Sequence, residues 1–152
     1  MTNKEKEIKE ARIQELLLKR EEYVNNGEIQ KEIVVLRELK VLFRRVYGDE
    51  SNENIRVLTE LGNALKYVGK FEESLRILSK VEKMVLKKYG ENSLAFVTCS
   101  ANLAEVYRIM KKYDKVEEKY FKAVKVYKKN NFRNGYVFSG ICNNLGLFYE
   151  EN

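Results

Sequence analysis

Proline and histidine are both absent from this 152-residue chain, glycine occurs eight times and cysteine twice. Without proline the chain lacks the residue that most firmly stops or kinks a helix, and with few glycines it lacks the turn formers that all-β folds use in quantity. Without histidine no imidazole can act as a general base near neutral pH or complete a zinc site, and Cys99 and Cys142 have no metal-type spacing. Both thiols are expected to be reduced and structural. No apolar run reaches the roughly 18 residues of a membrane span. The N-terminus, Met1-Thr2-Asn3-Lys4-Glu5-Lys6, runs on into further charge where a secretory leader would turn apolar. These absences predict a cytoplasmic protein that neither crosses nor coats a membrane.

Leucine, lysine and glutamate abound instead, residues that lose little rotamer freedom in a helix. The chain also repeats itself. Leu61-Gly62-Asn63-Ala64-Leu65 returns as Leu103-Ala104-Glu105-Val106-Tyr107 and as Leu145-Gly146-Leu147-Phe148-Tyr149, each copy shifted by 42 residues. The same shift carries Val57 onto Cys99 and Ile141, Lys70-Phe71 onto Lys112-Tyr113, and Tyr47-Gly48-Asp49 onto Tyr89-Gly90-Glu91; upstream, Gly27 precedes Gly69 and Leu36 precedes Leu78 by that interval. A period of this length marks a stack of supersecondary units that share one continuous core.

Each period reads as a helical hairpin. Val57, Leu58, Leu61, Ala64 and Leu65 line one helical face, Gly69 breaks it, and Phe71, Leu75, Leu78, Val81, Val85 and Tyr89 line a second face that Gly90 ends. Asp49-Glu50-Ser51 and Asn92-Ser93 offer short polar side chains suited to capping the next helix start. Gly62, Ala104 and Gly146 place a small residue where two antiparallel helices approach closely, with Leu65, Tyr107 or Tyr149 filling the space beside it. The spacing predicts seven helices, over 4–25, 29–47, 53–68, 71–89, 94–110, 113–129 and 136–150. One hairpin cannot bury both its faces, so the expected fold is all-α: a right-handed superhelical solenoid of about three and a half antiparallel helix pairs.

The Leu-Gly-x-x-Leu, Leu-Ala-x-x-Tyr and Leu-Gly-x-x-Tyr runs, with the Gly-Lys-Phe and Lys-Lys-Tyr turns, resemble the tetratricopeptide repeat (TPR). The 42-residue period and the Tyr-Gly-Glu-Asn between units are similar to the kinesin-light-chain subtype of that family. Residues 54 to 152 match well. Residues 4 to 53 match loosely, because Lys19 and Arg20 stand at the leucine and small-residue positions. The resemblance implies one repeat domain over 1–152, with a divergent capping hairpin at 1–50, repeats at 51–92 and 93–134 and a half repeat at 135–152. The last helix has the full first-helix signature, which leaves open a longer array cut short or a lone helix capping the stack.

The resemblance further implies a scaffold that binds a protein or an extended peptide along its first helices, without catalysis or cofactor. The residues opposite the packing faces are Thr59, Asn63, Lys66 and Tyr67 in one unit, Asn102, Glu105 and Arg108 in the next, and Asn144 in the last. Amides donate and accept, so Asn63, Asn102 and Asn144 suit a peptide backbone without demanding a particular side chain; solvated asparagines, or asparagines tying repeats together, are the plainer alternative. The basic positions with which chaperone-binding relatives clamp a terminal carboxylate read Thr59, Gly140 and Asn144, which argues against that ligand.

Charge is concentrated. Between Arg108 and Arg133 ten basic residues face three acidic ones, a surplus of seven, whereas the whole chain nets +6. Lys111, Lys115, Lys119, Lys122 and Lys129 fall near one stripe, which reads as a solvated helix face; with little arginine and few spare aromatics it argues against nucleic acid. No Gly-rich phosphate loop, nucleophile with a base, or convergent carboxylate pair occurs. Cys99 shares its repeat position with Val57 and Ile141, and Cys142 with Leu58 and Ser100, as packing residues do. Self-association through the last helix, with Phe148 on its exposed face, and a fragment of a peptide-sensing regulator are the other roles left open.

Overall fold

The computed structural model describes residues 1–133 and 135–151; the expected repeat boundary at Asn134 and the terminal Asn152 lie outside the described residues. The helices are α1 (Asn3–Asn25), α2 (Ile29–Tyr47), α3 (Asn52–Tyr67), α4 (Phe71–Tyr89), α5 (Leu94–Ile109), α6 (Tyr113–Lys129) and α7 (Gly135–Glu151), each end within one residue of its expected place. The fold is all-α, and none of its described helices is long and apolar enough to cross a membrane. Two compact units result, Met1–Ile77 and Leu78–Asn152, with α4 contributing residues to both.

The joints within hairpins share one chemistry. At the ends of α1, α3 and α5 the amides of Glu28, Lys70 and Lys112 donate back to the carbonyls of Tyr23, Leu65 and Tyr107, at 2.8, 3.0 and 2.9 Å. This six-to-one closure needs a left-handed residue just before it, and Gly27 (φ +69°), Gly69 (φ +79°) and Lys111 (φ +58°) supply it, one period apart. Lysine at this position carries a Cβ into a region that costs an L-residue about 1–2 kcal/mol. The joints between hairpins repeat as well. Ser51 Oγ donates to the Gly48 carbonyl at 2.9 Å and accepts from the Asn54 amide at 3.1 Å, and Ser93 does the same with Gly90 and Phe96 at the same distances. The expected serine caps are therefore both in place, each satisfying an amide that the helix start leaves open.

In the first unit Ile13 and Leu16 of α1 meet Ile33, Leu36, Leu39 and Phe43 of α2 and Val57, Leu61, Ala64 and Leu65 of α3. Helix α1 buries little else, so its remaining face is carried by charge: Arg12 bonds Glu38 of α2 at 2.8 and 3.2 Å. Arg20, at the small-residue position of the repeat, lies 3.5 Å from Glu32 and 3.4 Å from Glu60, joining all three helices by charge where a glycine would have let them close up. Gly62 shows that closer approach, its carbonyl accepting from the buried Ser74 hydroxyl of α4 at 2.6 Å.

In the second unit Val97 and Ala104 of α5, Val116, Tyr120, Ala123 and Tyr127 of α6, and Ile141 and Phe148 of α7 form one cluster. Phe148 is a correction to the expectation above. It is 5% exposed and its ring lies 5.8 Å from that of Tyr113, because its repeat partners are the buried Ala64 and Val106.

If the joint geometry is set by the left-handed residue, Lys111→Gly should raise stability by about 0.5–1 kcal/mol, the relief of strain exceeding the added chain entropy. Gly69→Lys should lower it by about 1 kcal/mol. Urea denaturation of the two variants checks both signs.

Candidate functional site: the exposed faces of the first helices

Helices α3, α5 and α7 each bury one broad stripe; on α5 the opposite side is only partly exposed, every residue of that helix being buried or half-buried, and on α3 Lys66, expected opposite the packing face, is buried. In the first unit Thr59, Asn63, Lys66 and Tyr67 all belong to α3. Tyr67 is 73% exposed. Lys66 is mostly buried, its ammonium 4.9 Å from the centre of the Tyr67 ring, a cation held against an aromatic face. Thr59 donates its hydroxyl to the Ile55 carbonyl at 2.8 Å, which leaves only its acceptor side available. Asn63 Oδ1 is enclosed and has no hydrogen-bond partner among the described residues.

In the second unit Asn102, Glu105 and Arg108 lie on α5 and Asn144 on α7, and three of these four form a network. Arg108 holds Glu105 with two bonds, Nε to Oε2 at 3.1 Å and Nη2 to Oε1 at 2.9 Å, and its remaining nitrogen donates to Glu151 of α7. The hydroxyl of Tyr120, a fully buried residue of α6, donates to Glu105 Oε2 at 3.2 Å, and Asn144 bonds the same tyrosine. The network thus ties α5, α6 and α7 together. Burial first, and the Glu105 carboxylate second, push the Tyr120 phenol well above its ordinary range. The Arg108 guanidinium is likewise raised, chiefly by its hydrogen bonds to Glu105. Asn102 stands apart, half-buried beside this rigid group, its amide without a side-chain hydrogen bond among the described residues.

Tyr120 and Glu151 were not among the residues the sequence singles out for this face. Tyr120 repeats Leu78, a core position, and only the phenolic hydroxyl, which leucine lacks, signals that a partner must be supplied. The lysine stripe is partly neutralised: Lys119 bonds Glu82 at 2.8 and 2.9 Å, Lys122 lies 3.3 Å from Glu91 and over the Phe96 ring, and Lys111 sits in the turn before α6. Cys99 is buried, which pushes its thiol up to about 12, and Cys142 is exposed. Among the described residues no group of three metal-ligating side chains gathers.

No family model and no curated protein matches the chain. Solved structures do. BtubC (BKLC) from P. vanneervenii superposes with a TM-score of 0.73 at 17% identity, over 93% of this chain and 56% of that one. The nearly identical TPR-like repeats of a Podosopora anserina protein assigned as a kinesin light chain superpose at 0.70 and 18% identity, over 80% of this chain and 57% of theirs, in each of two crystal structures. The likeness is one of fold: a TPR-like helical repeat. The chain spans a little over half the length of these structures.

Ionising a buried phenol that donates to a carboxylate is disfavoured only in the folded state. With the Tyr120 phenol raised above its unfolded value, the stability it contributes is full below pH about 10 and is lost as pH rises from there towards the folded value. Tyr120→Phe should therefore be less stable than the parent near pH 7, by about 1 kcal/mol for the lost bond. It should also show a shallower loss between pH 9 and 11 in denaturant midpoints.

Proposed function

We propose that this chain is a non-catalytic scaffold that binds an extended peptide of a protein partner on the half-buried polar side of α5, with Asn102 as the amide that holds the peptide backbone. The observation that carries the reading is that Asn102 makes no side-chain hydrogen bond among the described residues and stands one helical turn before Glu105 of the Arg108–Glu105–Tyr120 network. One amide is available to donate and accept, and the surface beside it is already rigid, so a ligand meets little side-chain disorder to be frozen out. The TPR-like fold supports it, since helical repeats of this type commonly serve protein interaction. Arg108 and Glu105 satisfy one another, so the face is polar without a strong net demand for charge.

Asn63, Lys66, Thr59 and Tyr67 form the corresponding face of α3. There the exposed Tyr67 ring is the group best suited to a peptide side chain, as a flat apolar surface with a polar edge. Asn144 has a different role: bonded to Tyr120, it holds α7 to α6 and reaches the ligand only through the network.

Panning a random peptide library against the chain and titrating an enriched peptide tests this. Asn102→Ala should weaken that peptide about tenfold, two hydrogen bonds at roughly 0.7 kcal/mol each, with helicity unchanged. Enrichment of no peptide, or equal affinity for Asn102→Ala and the parent, overturns the assignment.

A further inference from the structure

A pocket of about 410 Å³ lies between the α4–α5 turn and the second half of α6. Its walls come from elements in the interior of the chain, and none of its lining residues belongs to α5, so it is separate from the Asn102 side of that helix. Glu91 and Asn92 come from the turn, Phe121, Lys125 and Lys129 from one stripe of α6, and the buried Val126 forms the floor. Lys122 holds the turn to the helix, 3.3 Å from Glu91 and 5.3 Å from the centre of the Phe96 ring. Lys119 joins the same side of α6 to Glu82 of α4 at 2.8 and 2.9 Å. Helix α7 packs elsewhere on α6, where Phe138 stacks on Tyr127.

Charge in this pocket does not balance. Glu91 matches Lys122, but Lys125 and Lys129, one helical turn apart, have no carboxylate partner among the described residues. The exposed Asn92 amide also makes no hydrogen bond among them. The lysines alone do not distinguish the place, because in sequence the preceding period repeats them as Lys80, Lys83 and Lys87. The difference lies in what surrounds them. Asn92 and Phe121 stand where that period has Glu50 and Ser79, so a carboxylate is lost and an aromatic ring gained.

We propose that this pocket binds a phosphotyrosine side chain of a partner protein. A carboxylate would neutralise one of the two unmatched lysines, whereas a phosphate monoester, at about −1.5 to −2 near neutral pH, neutralises both. Lys125 and Lys129 stand about 6 Å apart along the helix axis, so both ammonium groups can reach one phosphate, and an ammonium binds it as a point charge without a fixed orientation. Asn92 adds a neutral donor from the opposite wall. Phe121 lies one turn before Lys125, about 6 Å back along the same stripe. An aryl ring packed on Phe121 and Val126 therefore sets its ester phosphate further along the helix, at the level of the lysines. A phosphoserine, on its short stem, has nothing to place against Phe121. A membrane surface does not enter a pocket, and a nucleic-acid strand needs a succession of stacking faces where this pocket offers one ring.

The test is to titrate a fluorescein-labelled pentapeptide, phosphotyrosine flanked by glycines, with the whole chain and follow its anisotropy at about 0.1 M salt, where long-range attraction is screened. The expected result is saturable binding, at least fivefold tighter than for the matching phosphoserine and tyrosine peptides and than for inorganic phosphate as competitor. Lys125→Gln/Lys129→Gln should weaken it at least tenfold and Phe121→Ser at least threefold. Lys80→Gln/Lys83→Gln removes the same charge elsewhere, and Asn102→Ala alters the other candidate site; both should keep the parent affinity. All the substituted lysines and Phe121 are exposed, and unchanged circular dichroism confirms the fold of each variant. No saturation at millimolar phosphopeptide, equal affinity for phosphoserine or inorganic phosphate, or an equal loss in Lys80→Gln/Lys83→Gln overturns the proposal. So does capture of phosphatidylserine vesicles or oligothymidine that is lost in Lys125→Gln/Lys129→Gln while the phosphopeptide goes unbound, which would make a membrane or a nucleic acid the occupant.

Discussion

Everything in this chain depends on reversing a helix within a few residues without leaving backbone groups stranded. The last carbonyls of a helix have no intrahelical donor, and an amide five residues on can reach one only if the residue before it turns left-handed. Gly27, Gly69 and Lys111 make that turn, and Asn131 (φ +51°) does so again after α6, where Phe132 donates to Tyr127 at 3.4 Å. With the reversal set, the small residue, the apolar stripe and the serine cap of each period fall into the same relation to their neighbours. The period is in this sense a property of the joints as much as of the core.

The two units solve the problem of holding three helices together by different means. In the first, α1 has few apolar residues to offer, and arginines stand in for them: Arg12 towards Glu38, Arg20 between Glu32 and Glu60. The Arg12 pair is well exposed to water and contributes little. In the second, apolar packing is full, and the polar group sits inside it. A buried tyrosine hydroxyl must find an acceptor, Glu105 must find a cation, and the result is a chain of bonds from α6 through α5 to α7. Such a group rigidifies because every member depends on the others.

Much of this was legible in the sequence. The helices, the glycine stops and the serine caps were readable because each follows from local chemistry: period-3.6 apolar spacing, a residue able to turn left-handed, a hydroxyl that accepts an amide. What was not legible depends on which neighbour a side chain meets. Phe148 reads as exposed when α7 is taken alone, and only its register with the buried Ala64 and Val106, and Tyr113 lying against it, place it in the core. Asn144 and Asn102 look alike in the repeat, yet one reaches Tyr120 and the other does not. Lys111 reads as part of a basic stripe, although its register shows it to be the heir of two glycines, with a backbone angle to match. Arg20 stood out at once as a misfit at a small-residue position, but its two carboxylate neighbours come from separate helices.

The recurrence of identical joints has a consequence for how such a gene can change. Ser51 and Ser93 make the same two bonds at the same two distances, and the Tyr23, Leu65 and Tyr107 carbonyls are closed by the same reversal. A duplication or loss of one whole period by unequal recombination therefore creates no junction that the protein has not already built. Point substitutions must negotiate with their neighbours one at a time. Length, by contrast, can be inherited in ready-made steps.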